Sequence, residues 1–134
     1  MMSNEDRQTY TALVVDDDPA ILQLLEEVLH EAGYNPTCLT HAQPALEVLA
    51  AHPFDVLVID QWLPDGNGLQ ICEAARARYG SDPVVLIITA DARKERHVLS
   101  LQLCADDFIG KPFDIEELLA RIEVRLQRAK HVRA

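Results

Sequence analysis

Residues 12–33 read ALVVDDDPAILQLLEEVLHEAG. The stretch opens with a short apolar run, continues through three aspartates and a proline, and ends in a segment closed by Gly33. In that last segment Ile21, Leu24, Leu25, Val28, Leu29 and Ala32 recur at helical spacing. An unbroken apolar run of this length predicts a strand buried on both faces, as in a parallel sheet. Asp18 predicts a helix N-cap, since its carboxylate can accept an N–H of the first turn. Pro19 fits that first turn because its missing N–H would have no partner there, and Gly33 suits the C-terminal cap. Together they make one strand, one acidic turn and one amphipathic helix.

The same unit recurs along the chain. Further strands are predicted over 56–59 and 84–89, with weaker candidates over 35–39 and 107–109. Helices are predicted over 43–51 (Ala45, Leu46, Val48 and Leu49 inward), 69–79 and 92–103, and from residue 115 with Ile115, Leu118, Leu119, Ile122 and Leu126. The helix over 92–103 is weakly amphipathic, because Arg93-Lys94-Glu95-Arg96 makes its first turn polar all round. Five strands alternating with five helices predict right-handed crossovers and a doubly wound parallel sheet, an α/β fold. In such sheets the ligand site lies at the carboxyl ends of the strands.

Composition narrows the function. With 134 residues, the chain fits one domain at roughly 100–200 residues each. The expected division is an N-terminal segment over 1–9, a domain over 10–128, and a tail or linker start over 129–134. Twelve basic against 22 acidic residues give a net charge of −10, which argues against direct nucleic-acid binding. The charge is uneven: residues 121–134 carry five cations against Glu123 alone. No apolar run reaches the roughly 18 residues of a membrane span, and residues 1–10 lack a signal-peptide core, so a cytoplasmic protein is expected. Cys38, Cys72 and Cys104 are far apart in apolar contexts and are expected as buried reduced thiols without a metal or redox role.

The chemistry-bearing residues stand at the predicted strand ends: Asp16-Asp17-Asp18 after the first, Asp60 after the third, Thr89 after the fourth and Lys111 after the fifth. Carboxylates crowded on one sheet edge repel unless a proton or cation intervenes, and an all-oxygen, water-accessible cluster suits Mg²⁺. An ammonium and a hydroxyl beside it suit phosphoryl oxygens. A carboxylate can act as the nucleophile that forms an aspartyl-phosphate. Asp60, alone at the end of the central strand, is the best such nucleophile, with Asp16 and Asp17 holding the metal. Taken singly, Asp18 reads as an N-cap, Asp106-Asp107 as a turn or surface pairs, and residues 64–68 as a loop.

The stretches ALVVDDDPAI, FDVLVIDQWLPDGNGL, VVLIITA and CADDFIGKPFDIEELLARI, all in order, resemble the receiver domains of bacterial two-component response regulators. That resemblance implies a flavodoxin-like sheet of order 2-1-3-4-5. It implies Asp60 as phosphoacceptor, Asp17 as direct Mg²⁺ ligand, Asp16 acting mainly through water, and the backbone carbonyl of Trp62 as a further ligand. It also implies Thr89 and Phe108 as switch residues, Lys111 as partner of a phosphoryl oxygen, and a cis Lys111-Pro112 bond. Departures are Cys104 where glycine is common, and Phe108 where tyrosine would offer a hydroxyl. The resemblance also implies that Trp62 and Asp91 occupy two variable positions that tune dephosphorylation within the family.

The expected function is a switch rather than an enzyme, catalysing only its own phosphorylation and dephosphorylation. A histidine kinase or phosphotransfer protein would donate to Asp60. The surface of the fourth helix, fifth strand and fifth helix would then control an output domain or downstream partner, with a homodimer through that surface as one route. Asp16-Asp17-Asp18 also resembles the Asp-x-Asp of haloacid-dehalogenase-like phosphatases, but Asp60 would then have no role. A receiver-like module working without phosphorylation would not need the full acidic set. The stripe Ile115, Leu119, Ile122, Leu126 and Ala129 fits either a signalling coil or a core-facing helix.

Overall fold

The computed structural model describes residues 10–90 and 104–133, with side chains through Arg128. Five strands form one sheet: β1 (Thr11–Val15), β2 (Asn35–Leu39), β3 (Val56–Asp60), β4 (Val84–Thr89) and β5 (Asp107–Gly110). Their order is β2-β1-β3-β4-β5 and every neighbouring pair is parallel. Helices α1 (Pro19–Glu31), α2 (Ala42–Ala51) and α3 (Gly68–Tyr79) and the C-terminal helix Ile115–Arg133 complete the described residues. Asp91, the helix expected over 92–103 and the segment 1–9 lie outside them. No helix among the described residues is long and apolar enough to cross a membrane.

Alternating side chains of each strand point to opposite faces, so two cores flank the sheet. Leu13, Val15, Leu57, Ile59, Val85, Ile87 and Phe108 meet the apolar sides of α2 and α3. Ala12, Val14, Val56, Val58, Leu86, Ile88 and Ile109 meet those of α1 and the C-terminal helix. Each large aliphatic residue fully buried in this way contributes about 1.5–3 kcal/mol relative to exposure. β2 lies at the sheet edge with Asn35 and Thr37 exposed, and Pro36 is tolerated there because an edge strand has one unpaired side.

The local end signals act as their chemistry requires. Asp18 caps α1 by accepting from the Ala20 and Ile21 N–H groups, Pro19 opens the helix, and Gly33 follows it at φ 97°. The Lys111-Pro112 bond is cis. Of the C-terminal stripe, Ile122 and Leu126 are buried and Ile115 and Leu119 pack partly against the core, which makes the described part core-facing.

Three expectations are corrected. Leu24, expected on the apolar face of α1, is 43% exposed, because the helix turns Leu25 and Leu29 to the sheet with Ile21 and Leu22 beside them. Residues 64–68 are more than a loop, since Trp62–Leu63 pairs antiparallel with Gly66–Asn67 before α3 begins. Cys72 and Cys104 are buried but joined as a disulfide, with Cα atoms 6.1 Å apart. α3 packs Cys72 against the segment entering β5, a proximity set by helix docking across 32 residues. Cys38 is free and half-buried, and burial first, then the Glu26 carboxylate, push its thiol up to about 12.

Candidate functional site

The sheet ladder carries the functional residues beyond the strand ends. The Asp16 N–H donates to the Leu39 carbonyl at 3.1 Å, Gln61 N–H to Ile88 at 2.9 Å and Lys111 N–H to Thr89 at 2.8 Å. Strand alternation then sorts the side chains. Asp16, Asp60 and Lys111 continue the face of Val14, Val58 and Ile109, while Gln61 and Thr89 continue that of Ile59 and Ile87.

On the first face, Asp16 is fully buried and Asp60 nearly so. Lys111 Nζ lies 3.2 Å from Asp60 Oδ2 and 3.4 Å from Asp16 Oδ2. Asp16 Oδ1 accepts the Asp18 N–H at 2.9 Å, and Asp60 Oδ1 accepts the Trp62 N–H at 3.4 Å. Among the described residues, Asp16 Oδ2 is buried with no hydrogen bond, and the Lys111 ammonium lies at ion-pair distance. Asp17 is exposed at the rim, and one carboxylate oxygen from each of Asp16, Asp17 and Asp60 lies within 4.8 Å of the others.

The electrostatics follow from that crowding. Burial first, and then the Asp16 charge, push the Asp60 carboxyl above its ordinary range, against the pull of Lys111 and the Trp62 N–H. Burial lowers the Lys111 ammonium, but Asp16 and Asp60 outweigh it and leave its pKa raised. Among the described residues, one ammonium for two buried carboxylates leaves negative charge uncompensated. A buried carboxylate oxygen without a hydrogen bond, in an all-oxygen set reaching solvent at Asp17, fits a hard divalent cation such as Mg²⁺.

On the second face, Thr89 Oγ1 donates to Gln61 Oε1 at 2.5 Å, both residues being buried. Phe108 is buried in the core on this side, and its carbonyl accepts from Arg121 at 2.8 Å. Trp62 turns its ring outward, 61% exposed. The structure therefore brings Asp16, Asp17, Asp60 and Lys111 together, and places Thr89 and Phe108 on the opposite pleat.

Some contributors were not singled out from sequence. A Cβ on Gly68 would lie 2.8 Å from Ile59 Cγ2 and closer still to the Asp60 carbonyl oxygen, so only glycine lets α3 start against the end of β3. Asp65 caps α2 by accepting the Ala42 and Gln43 N–H groups at 2.6 and 2.9 Å, which hold its carboxyl below the ordinary range. No local signal marks that cap, since the residue before α2, His41, makes no side-chain cap bond. Gln61 could have been found, as a polar side chain one step past an all-apolar strand and in phase with its inward residues.

Residues 12–123 match the response regulator receiver domain family. Among curated relatives, the transcriptional regulatory protein BaeR of Escherichia coli is 35% identical over 125 residues, covering 93% of this chain and 51% of BaeR. The chain spans about half the length of the curated relatives it matches. Among solved structures, a CheY-like receiver domain protein of Methanospirillum hungatei is 30% identical with a TM-score of 0.83, covering 91% of this chain and 97% of that one. The response regulator TrrA of Thermotoga maritima, solved in complex with Mg²⁺ and beryllium fluoride, is 30% identical with a TM-score of 0.76, covering 87% and 98%. On the family match, the identity and the shared sheet, the chain belongs to the response regulator receiver domains.

Proposed function

We propose that the chain is a phosphorylation-controlled switch of a two-component system, with Asp60 as its phosphoacceptor. The observation that carries this is the pairing of Asp16 and Asp60 around one ammonium, with a buried Asp16 oxygen that no hydrogen bond satisfies. Asp60, its basicity raised by burial and by Asp16, attacks the phosphorus of a phosphohistidine on a histidine kinase or phosphotransfer protein. A bond forms from Asp60 Oδ to phosphorus as the phosphorus–imidazole nitrogen bond breaks, and the imidazole leaves.

Lys111, whose Nζ lies 3.2 Å from Asp60 Oδ2, pairs with a phosphoryl oxygen once the Asp60 carboxylate charge has passed to the phosphoryl group of the acyl phosphate. Asp16, Asp17, Asp60 and the Trp62 carbonyl would hold Mg²⁺, which when bound supplies positive charge against the carboxylates and phosphoryl oxygens. Thr89 and Phe108 then act as the switch, and the surface of the 92–103 segment, β5 and the C-terminal helix transmits the change to an output domain, a downstream protein or a second copy. Residues 10–128 form the receiver unit, with 1–9 and 129–134 outside it, working in the cytoplasm. Catalysis is limited to the chain's own phosphorylation and dephosphorylation.

Incubation with acetyl phosphate and Mg²⁺ should add one phosphoryl group to the wild-type mass and none to Asp60→Asn. An unchanged wild-type mass, with a cognate kinase also failing, would sink the proposal.

A further inference from the structure

Gln61 follows the phosphoacceptor position directly, and its amide is buried. Its backbone is held on both sides: the N–H donates to the Ile88 carbonyl at 2.9 Å, and the carbonyl accepts the Gly68 N–H at 2.7 Å. With the backbone fixed, the side chain continues the pleat of Leu57 and Ile59, where Thr89 continues that of Val85 and Ile87. The two meet in the 2.5 Å bond from Thr89 Oγ1 to Gln61 Oε1. A threonine hydroxyl has one proton to donate. While Gln61 holds it, that proton is not available to a phosphoryl oxygen on Asp60.

We propose that Gln61 is a positioning residue that holds the Thr89 hydroxyl in the resting arrangement, so that activation must exchange this bond for one to the phosphoryl group. The proposal rests on Asp60 as phosphoacceptor and Thr89 as the hydroxyl that turns toward it. A switch needs contacts that differ between its two states, and the amide supplies one made only at rest. Gln61 therefore sets how strongly the resting state is favoured, while Asp60, Lys111 and the acidic cluster set whether a phosphoryl group is held at all. If the amide merely filled space, a methionine of similar length would leave activation unchanged.

The experiment titrates beryllium fluoride, a phosphoryl mimic, in saturating Mg²⁺, reading the fluorescence of the single tryptophan, Trp62. Gln61→Met should lower the half-saturating concentration about three- to tenfold, the equivalent of one net buried hydrogen bond removed from the resting state. In a Thr89→Val background the same change should move it by less than about twofold, since the coupling is then gone. An unchanged midpoint in Gln61→Met, or an equal shift in the Thr89→Val background, overturns the proposal. Should Gln61→Met fail to fold, scalar couplings of the Thr89 methyl in wild-type protein decide the matter. They should report a change of χ1 on adding beryllium fluoride, and an unchanged rotamer overturns the proposal. Wild-type protein that neither binds the mimic nor takes a phosphoryl group from acetyl phosphate refutes the phosphoacceptor assignment itself. A normal wild-type response with a silent Gln61→Met refutes only the role of the amide.

Discussion

The two edges of the sheet carry acidic residues in opposite conditions. At the amino edge, Asp55 accepts the Thr11 N–H at 2.8 Å and its hydroxyl at 3.3 Å. Asp106 accepts the Val85 N–H at 2.7 Å and Arg76 Nη2 at 2.9 Å, and Arg76 donates further to the carbonyls of Cys104, Gly80 and Pro83. At the carboxyl edge, Asp16 and Asp60 share one lysine, and Asp16 keeps an oxygen with no hydrogen bond. Buried polar groups are normally satisfied because desolvation without a partner costs about 1–3 kcal/mol. The amino edge obeys that rule and ties strands to helix. The carboxyl edge departs from it where an added cation would restore the balance.

The sharpest way to break the contrast is to delete a cation from the finished edge. Arg76→Ala removes four hydrogen bonds and leaves Asp106 without its cation. It should lower stability by about 3 kcal/mol, on the order of 10 °C in Tm, and Mg²⁺ should not restore the difference from wild type. A loss under about 1 kcal/mol in urea unfolding would show that this edge carries little of the stability.

The unfinished edge should respond to ligand instead. Mg²⁺ at a hundredfold excess over its Kd should stabilise wild type by about 2.7 kcal/mol, roughly 10 °C by differential scanning calorimetry. Asp16→Asn should lose most of that gain, and a full gain in this variant would remove Asp16 from the cation site.

The smallest expected effect concerns proton linkage. Because its folded pKa is raised, Asp60 favours folding when protonated, and that contribution is lost as pH rises through the folded value. At pH 7 without Mg²⁺ the raised value therefore disfavours the fold. Asp60→Asn should melt slightly above wild type at pH 7, with the gap closing as the pH falls toward the ordinary carboxylate range. A lower melting temperature for Asp60→Asn at pH 7 would mean that its pairing with Lys111 outweighs burial and the repulsion from Asp16.

Much of the fold was legible because its signals are local. Apolar runs, the Asp18 cap with Pro19, and Gly33 each act within one turn or one strand, and the elements expected within the described residues are present with ends shifted by about one residue. The cluster of Asp16, Asp17, Asp60 and Lys111 was legible for a related reason: strand ends in a parallel α/β sheet must converge on one edge. Leu24 misled because helical spacing defines an apolar stripe but not which part of it faces the sheet. The cysteines misled because nothing between Cys72 and Cys104 encodes their approach.

The sequence by itself determined the alternation of strands and helices among the described residues, the two buried faces of the central strands, and the set of acids, hydroxyl and ammonium at the strand ends. Those properties follow from side-chain period and chemistry along the chain. Only the tertiary structure decided that Gln61 meets Thr89, that Asp65 caps α2, that Arg76 binds Asp106, and that Lys111 is shared between Asp16 and Asp60. Each of those pairings joins residues more than 20 positions apart. Their partners are set by strand order and helix docking, which bring together side chains that no local rule connects.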